Sequence, residues 1–227
     1  MIAEHTMLDE LEGRLLRLPE PPKENGSVVL VVVRPDVDAR QTPPRCILSP
    51  EHGVEGDRWA TREPRADDNQ ITVMRADVAR LVGNGQPLST PGDNLMVDLD
   101  LSETNLPAGT TLRIGTALCE VTPKPHRGCS KFAARFGHDA LRLTAIYDDR
   151  RLRGLHLRVL EAGEVGPGDA IDVVARGYAP AAGPAPSPCS PASSMASPPR
   201  RSRASATAGP TPLPTTTSTS TSPPSAH

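Results

Sequence analysis

The stretch Val121-Thr-Pro-Lys-Pro-His-Arg-Gly-Cys-Ser-Lys-Phe-Ala-Ala-Arg-Phe-Gly137 holds the side chains best suited to chemistry. It crosses two prolines and brings Cys129 to the predicted start of a helix, among Lys124, Arg127, Lys131 and Arg135. A helix start and nearby cations favour thiolate over thiol, and the thiolate is the form that ligates metals or attacks sulfur. The alternative is a small buried cysteine that only caps a helix, beside a solvated basic face. On the residues alone the two stand level.

Other groups carry less. His126 and Cys129 are spaced as half of a zinc site, but no second pair completes four ligands, so His126 is expected in a loop beside a ligand or solvent. His52, Asp57 and Arg58 share a loop with Gly53 and Gly56 that could close over a ligand, or could simply be a turn needing positive φ. Gly163-Glu-Val-Gly-Pro-Gly168 lacks the Lys-Ser/Thr of a nucleotide loop and reads as a turn between strands. Cys46 and Cys119 sit in apolar or alternating contexts and are expected in the core or at an edge, and Cys189 has no assigned role.

The elements that must position Cys129 are short. Leu8, Leu11, Leu15 and Leu18 predict an amphipathic N-terminal helix ended by Pro19, Pro21 and Pro22, packed on the domain as an appendage. Strands are predicted over 27–33, 70–75, 94–99, 141–147, 154–160 and 169–174. Residues 112–121 predict a hairpin turning at Gly115-Thr116, and Pro43 to Asp68 reads as loop. Short helices are predicted over 76–82 and 129–136. This pattern predicts a mainly β, barrel-like fold with a few short helices.

The chain has 227 residues, of which 37% are apolar, a low share for a chain folded throughout. Of its 26 prolines, twelve lie between Gly177 and His227 among Ser, Thr and Ala, with no acidic residue there, so that segment is expected to be a disordered tail. Residues 1–25 then form a helical appendage and residues 26–176 the domain. Residues 1–176 carry 22 Lys and Arg against 27 Asp and Glu, a net of −5, and the whole chain has five aromatic residues. A basic, aromatic nucleic-acid surface is not expected. The acidic N-terminus does not read as a signal peptide, and no stretch reaches the roughly 20 apolar residues of a membrane span, so a cytoplasmic location without membrane contact is expected.

Six short motifs occur in order: His52-Gly-Val-Glu-Gly-Asp-Arg58, Gln70-Ile-Thr-Val-Met74, Pro91-Gly-Asp-Asn-Leu95, Leu112-Arg-Ile-Gly115, Lys124-Pro-His-Arg-Gly-Cys129 with Phe136-Gly137, and Gly154-Leu155 leading to Val159 through Asp169. Together they resemble the MOSC (molybdenum cofactor sulfurase C-terminal) family, in its small stand-alone bacterial form. The resemblance implies a MOSC-type β-barrel that binds molybdenum cofactor (molybdopterin). It implies Cys129 as molybdenum ligand or sulfur acceptor, and Asn94, Lys124, Arg127 and Lys131 as the groups that hold the pterin and its phosphate. His126 stands where family members often carry a second cysteine.

The implied activity is reduction of an N-hydroxylated or oxygen-bearing small molecule with an external redox partner. The alternative is a non-catalytic carrier passing sulfur or cofactor to or from a molybdoenzyme or sulfur donor. Pyridoxal phosphate belongs to the longer sulfurases, for whose domain this chain has no room.

Overall fold

Alternating apolar residues build a barrel whose walls are mostly four to seven residues long. The computed structural model of the protein describes residues 5–178, which lie within the first of two units, Met1–Gly183. The predicted tail falls outside the described residues, apart from its first two positions. After α1 (Leu8–Leu15) come β1 (Gly26–Val31), β2 (Cys46–Ser49), β3 (Gly53–Val54), β4 (Ile71–Arg75) and α2 (Ala76–Gly83). They are followed by β5 (Leu95–Asp98), β6 (Thr111–Ile114), β7 (Ala117–Val121), α3 (Ser130–Phe136), α4 (His138–Ile146), β8 (Leu155–Glu161), β9 (Gly163–Val165) and β10 (Ala170–Ala175).

Seven strands close a barrel in the order β1-β10-β6-β7-β8-β4-β5, with β5 returning to β1, and a small sheet β3-β2-β9 stands beside it. Every barrel pair is antiparallel except β4 with β5, which α2 connects. A parallel pair needs such a crossover, and it is buried on both faces. Met74 and Met96, register partners on that pair, accordingly turn outward under the helices while Val73 and Leu95 turn into the barrel.

The barrel interior is filled by one face of each strand, such as Ala117, Cys119 and Val121 on β7 and Leu155, Leu157 and Val159 on β8. A second apolar layer joins Leu11 and Leu15 of α1 to Val78 and Val82 of α2, Phe132 and Phe136 of α3, and Leu143 of α4. The N-terminal helix is thus part of a core, packed against the domain as expected. No helix among the described residues is long and apolar enough to cross a membrane.

Three expectations are corrected. Within the strand predicted over 141–147, residues 141–146 are helical: α4 buries Ala140, Leu143 and Thr144, the i, i+3, i+4 spacing of one helix face, and it packs on α3 and α1. The presumed loop over 43–68 holds β2 and β3, and Gly163–Val165 is a strand pairing with β2 rather than turn alone.

Candidate functional site

Several barrel-end segments meet around a small open cleft. They are the chain leaving β1, the Pro91–Asn94 turn entering β5, the loop from β7 to α3, and Arg153 before β8. Gly92 makes the turn possible: its φ of +81 is in the left-handed region, and a Cβ there would meet the Arg40 guanidinium at 3.4 Å. Cys129 is exposed on the cleft wall as the extended residue before α3.

The walls carry Arg34, Arg40, Arg58, Lys131, Arg135 and Arg153 against the carboxylates of Asp36, Asp38 and Asp93. Three of these cations are held by acids. Arg34 donates to both oxygens of Asp57, through Nε at 2.8 Å and Nη2 at 3.2 Å, and through Nη2 to Asn94 Oδ1 at 2.8 Å. Burial alone would raise the Asp57 pKa, but the Arg34 hydrogen bonds and charge outweigh it and leave it lowered. Arg135 donates to Asp38 at 2.8 Å, and Arg153 donates to both oxygens of Asp93 at 2.8 and 2.9 Å while lying over the Phe132 ring at 5.0 Å. The buried Asp93 is likewise held below its ordinary pKa, because the Arg153 guanidinium overcomes the effect of burial.

Arg58 and Lys131 have no ion pair with another described residue, and the Arg40 guanidinium donates only to the Asp38 carbonyl at 3.1 Å. Burial, then the neighbouring Arg135, lower the Arg40 pKa by more than Asp38 raises it. Three buried side-chain atoms among the described residues have no partner: Arg40 Nε, His126 Nδ1 and Arg153 Nε. All three belong to residues lining this cleft.

The structure gathers the sequence candidates unevenly. Cys129 and Lys131 share the cleft. Lys124 lies in an adjoining depression, ion-paired to Asp68 at 2.7 Å, and Arg127 lines another beside Leu141 and Thr144. Asn94, expected to face the pterin, is fully buried and cross-links the barrel end. Its Oδ1 accepts from Thr72 N at 3.1 Å and from Arg34, and its Nδ2 donates to Val32 O and Asp57. Asn94 therefore orients Arg34 from behind the wall.

His126 is nearly buried and lies against Asp93, and Arg58 of the His52 loop lines the cleft, whereas His52 is exposed and pairs with Glu55 at 3.5 Å. Burial pushes the Cys46 thiol up to about 11 and the Cys119 thiol up to about 12, in keeping with packing positions. Cys189 lies outside the described residues. Sequence reasoning missed Arg34, Arg40, Asp93 and Arg153 as cleft residues, although it had placed Arg58 in a loop that could close over a ligand. The Gly92-Asp93-Asn94 turn was visible, but the arginines come from three separate segments and carry no local signal.

The organic cofactor implied by the resemblance fits these residues. A soft metal matches a single exposed cysteine sulfur, the remaining ligands travelling with the metal's carrier, and a phosphate matches uncommitted guanidinium and ammonium groups.

Comparison with known proteins agrees with this architecture. Residues 66–172 match the model of the MOSC domain. The uncharacterised protein YflK of Bacillus subtilis (strain 168) is 34% identical over 94 residues, which are 40% of this chain and 41% of that relative, so the match spans about two fifths of its length. A crystal structure of a hypothetical protein superposes with a TM-score of 0.50 at 23% identity, covering 67% of this chain and 69% of the other, and shows the same fold. YiiM from Geobacillus stearothermophilus superposes with a TM-score of 0.49 at 20% identity over 67% of this chain and 76% of that one. The matched segment runs from just before β4 into β10, and β1 closes the barrel from outside it. Over residues 66–172 this chain is therefore similar to the MOSC domain.

Proposed function

We propose that the cleft holds molybdenum cofactor, with Cys129 as molybdenum ligand or sulfur acceptor and with Arg40, Arg58 and Lys131 receiving the phosphate. The observation that carries this is the coincidence of the three unpartnered buried nitrogens on one cleft with cations that have no acid of their own. Each unmet buried donor or acceptor costs about 1–3 kcal/mol, so the site is energetically incomplete without a polar, anionic ligand. When bound, the cofactor supplies two-electron exchange at its metal.

The chain's own residues do the rest. Arg34 and Arg153, neutralised by Asp57 and Asp93, form rigid walls rather than free charge. Arg40 and Lys131 supply the attraction for an anion. Arg127 lines a depression next to the cleft and adds positive charge there, whereas Lys124, in another, is neutralised by Asp68.

A recess beside an exposed cysteine leaves room for a small substrate and favours catalysis over flat docking. Reduction of an N-hydroxylated small molecule would take two electrons from a redox partner and two protons, releasing the amine and water. A carrier role toward a molybdoenzyme or sulfur donor is the second reading, favoured by the exposure of Cys129.

The test is to produce the full chain and its Cys129→Ala variant in a host that makes molybdenum cofactor, then measure bound molybdenum and intact mass. Molybdenum or an added sulfur on the parent, lost in the variant, is the expected result. A parent carrying neither overturns the proposal.

A further inference from the structure

On the cleft wall, Asp93, His126 and Arg153 form a nearly dry cluster with His156 behind them. The His126 and His156 rings stand 4.4 Å apart at 46°, His126 Nε2 is 3.5 Å from Asp93 Oδ1, and His156 Nδ1 is 3.2 Å from the Lys124 carbonyl oxygen. Hydrogen-bond chemistry fixes the imidazole tautomers. A carbonyl only accepts, so His156 carries its hydrogen on Nδ1. Asp93, ionised by Arg153, also only accepts, so its charge 3.5 Å from Nε2 favours an uncharged His126 with its hydrogen on Nε2.

Burial, the largest influence, holds the His126 pKa at about 3 despite Asp93, so the contact between them is ion to dipole rather than an ion pair. His126 Nδ1 is then a bare lone pair, closed to solvent and without a donor, just as Arg153 Nε is a donor without an acceptor. Both residues line the cleft and the two depressions on either side of the loop that carries Cys129.

We infer that His126 is a ligand-binding residue of this site: its Nδ1 accepts an N–H or O–H of the bound molecule while Arg153 Nε donates to a neighbouring acceptor. The ligand class this selects carries a donor next to an acceptor, as an amide-like ring edge does, and Asp93 acts by fixing the tautomer. The inference rests on the cleft being the cofactor site.

Two substitutions separate binding from mere support. In His126→Asn the amide oxygen takes the place of Nδ1, and in His126→Gln the amide takes the place of Nε2 against Asp93. In full chains from the cofactor-producing host, the Asn variant is expected to keep bound molybdenum within about twofold of the parent, and the Gln variant to lose about tenfold. The reverse order, equal retention or equal loss overturns the inference.

Two-bond proton–nitrogen NMR of the histidine rings in the full-length parent is expected to show His126 as the Nε2–H tautomer from about pH 5 to 8. An imidazolium or an Nδ1–H form overturns the inference, and this measurement decides if either variant fails to fold. A parent without molybdenum overturns the cofactor proposal and this inference with it, whereas a loaded parent with the wrong order of variants overturns the inference alone.

Discussion

Arg34 and Arg40 lie on one cleft wall and differ in what neutralises them. Arg34 covers a carboxylate that is fully buried, with its own side chain 21% exposed, so Arg34→Met leaves Asp57 charged and dry. That loss is expected to cost about 3–5 kcal/mol in urea unfolding, and Arg34→Met with Asp57→Asn is expected to recover part of it. Arg40 has an unpartnered Nε and a repelling neighbour in Arg135, so Arg40→Met is expected to shift stability by no more than about 1 kcal/mol while lowering molybdenum retention. A large destabilisation by Arg40→Met, or unchanged retention, would contradict the role assigned to it.

At the scale of elements, the site depends on strand ends held in register. Gly154 opens β8 with φ +103, and a Cβ there would lie 1.8 Å from the Val73 carbonyl of β4. Gly154→Ala must break the β4–β8 pairing beside Arg153 and is expected to cost more than about 4 kcal/mol, seen as loss of the cooperative unfolding transition. The N-terminal helix contributes at the same scale. Leu11 is 1% exposed within the layer that also holds Phe132 and Phe136, so Leu11→Ala is expected to cost about 2–5 kcal/mol and to loosen α3, which follows Cys129. Protection of the α3 amides from hydrogen exchange reads the second effect.

For the whole molecule, the buried imidazoles set the response to acid. His126 titrates near 3 when folded and near 6.5 as an ordinary histidine, and burial, the main cause, lowers His156 as well. The unfolded chain therefore binds more protons below that ordinary value. The stability from keeping these rings neutral is whole above about pH 6.5 and falls by up to about 1.4 kcal/mol per pH unit for each ring as pH drops toward the folded value. Asp57 and Asp93, whose pKa values are lowered, hold their contribution above the ordinary carboxylate range of about 4 and lose it below. Urea midpoints are expected to decline from about pH 6.5 and to steepen below about 4, with a shallower upper slope in His126→Gln. A flat profile down to about pH 4.5 would contradict neutral buried histidines.

The sequence by itself determined the class of the fold, most of the strands, the hairpin at Gly115-Thr116 and the helix that follows Cys129, because each rests on a local period or a turn residue. It also singled out Cys129 and Lys131, which lie close together along the chain. Tertiary structure decided the rest. Residues 141–147 have strand-like composition, yet packing against α1 and α3 makes 141–146 helical, and β2 pairs with β9, over a hundred residues later, as well as with β3. The cationic wall drawn from Arg34, Arg40, Arg58 and Arg153, and the burial that turns Asn94 and His126 inward, follow from barrel closure, which joins segments that no local pattern relates.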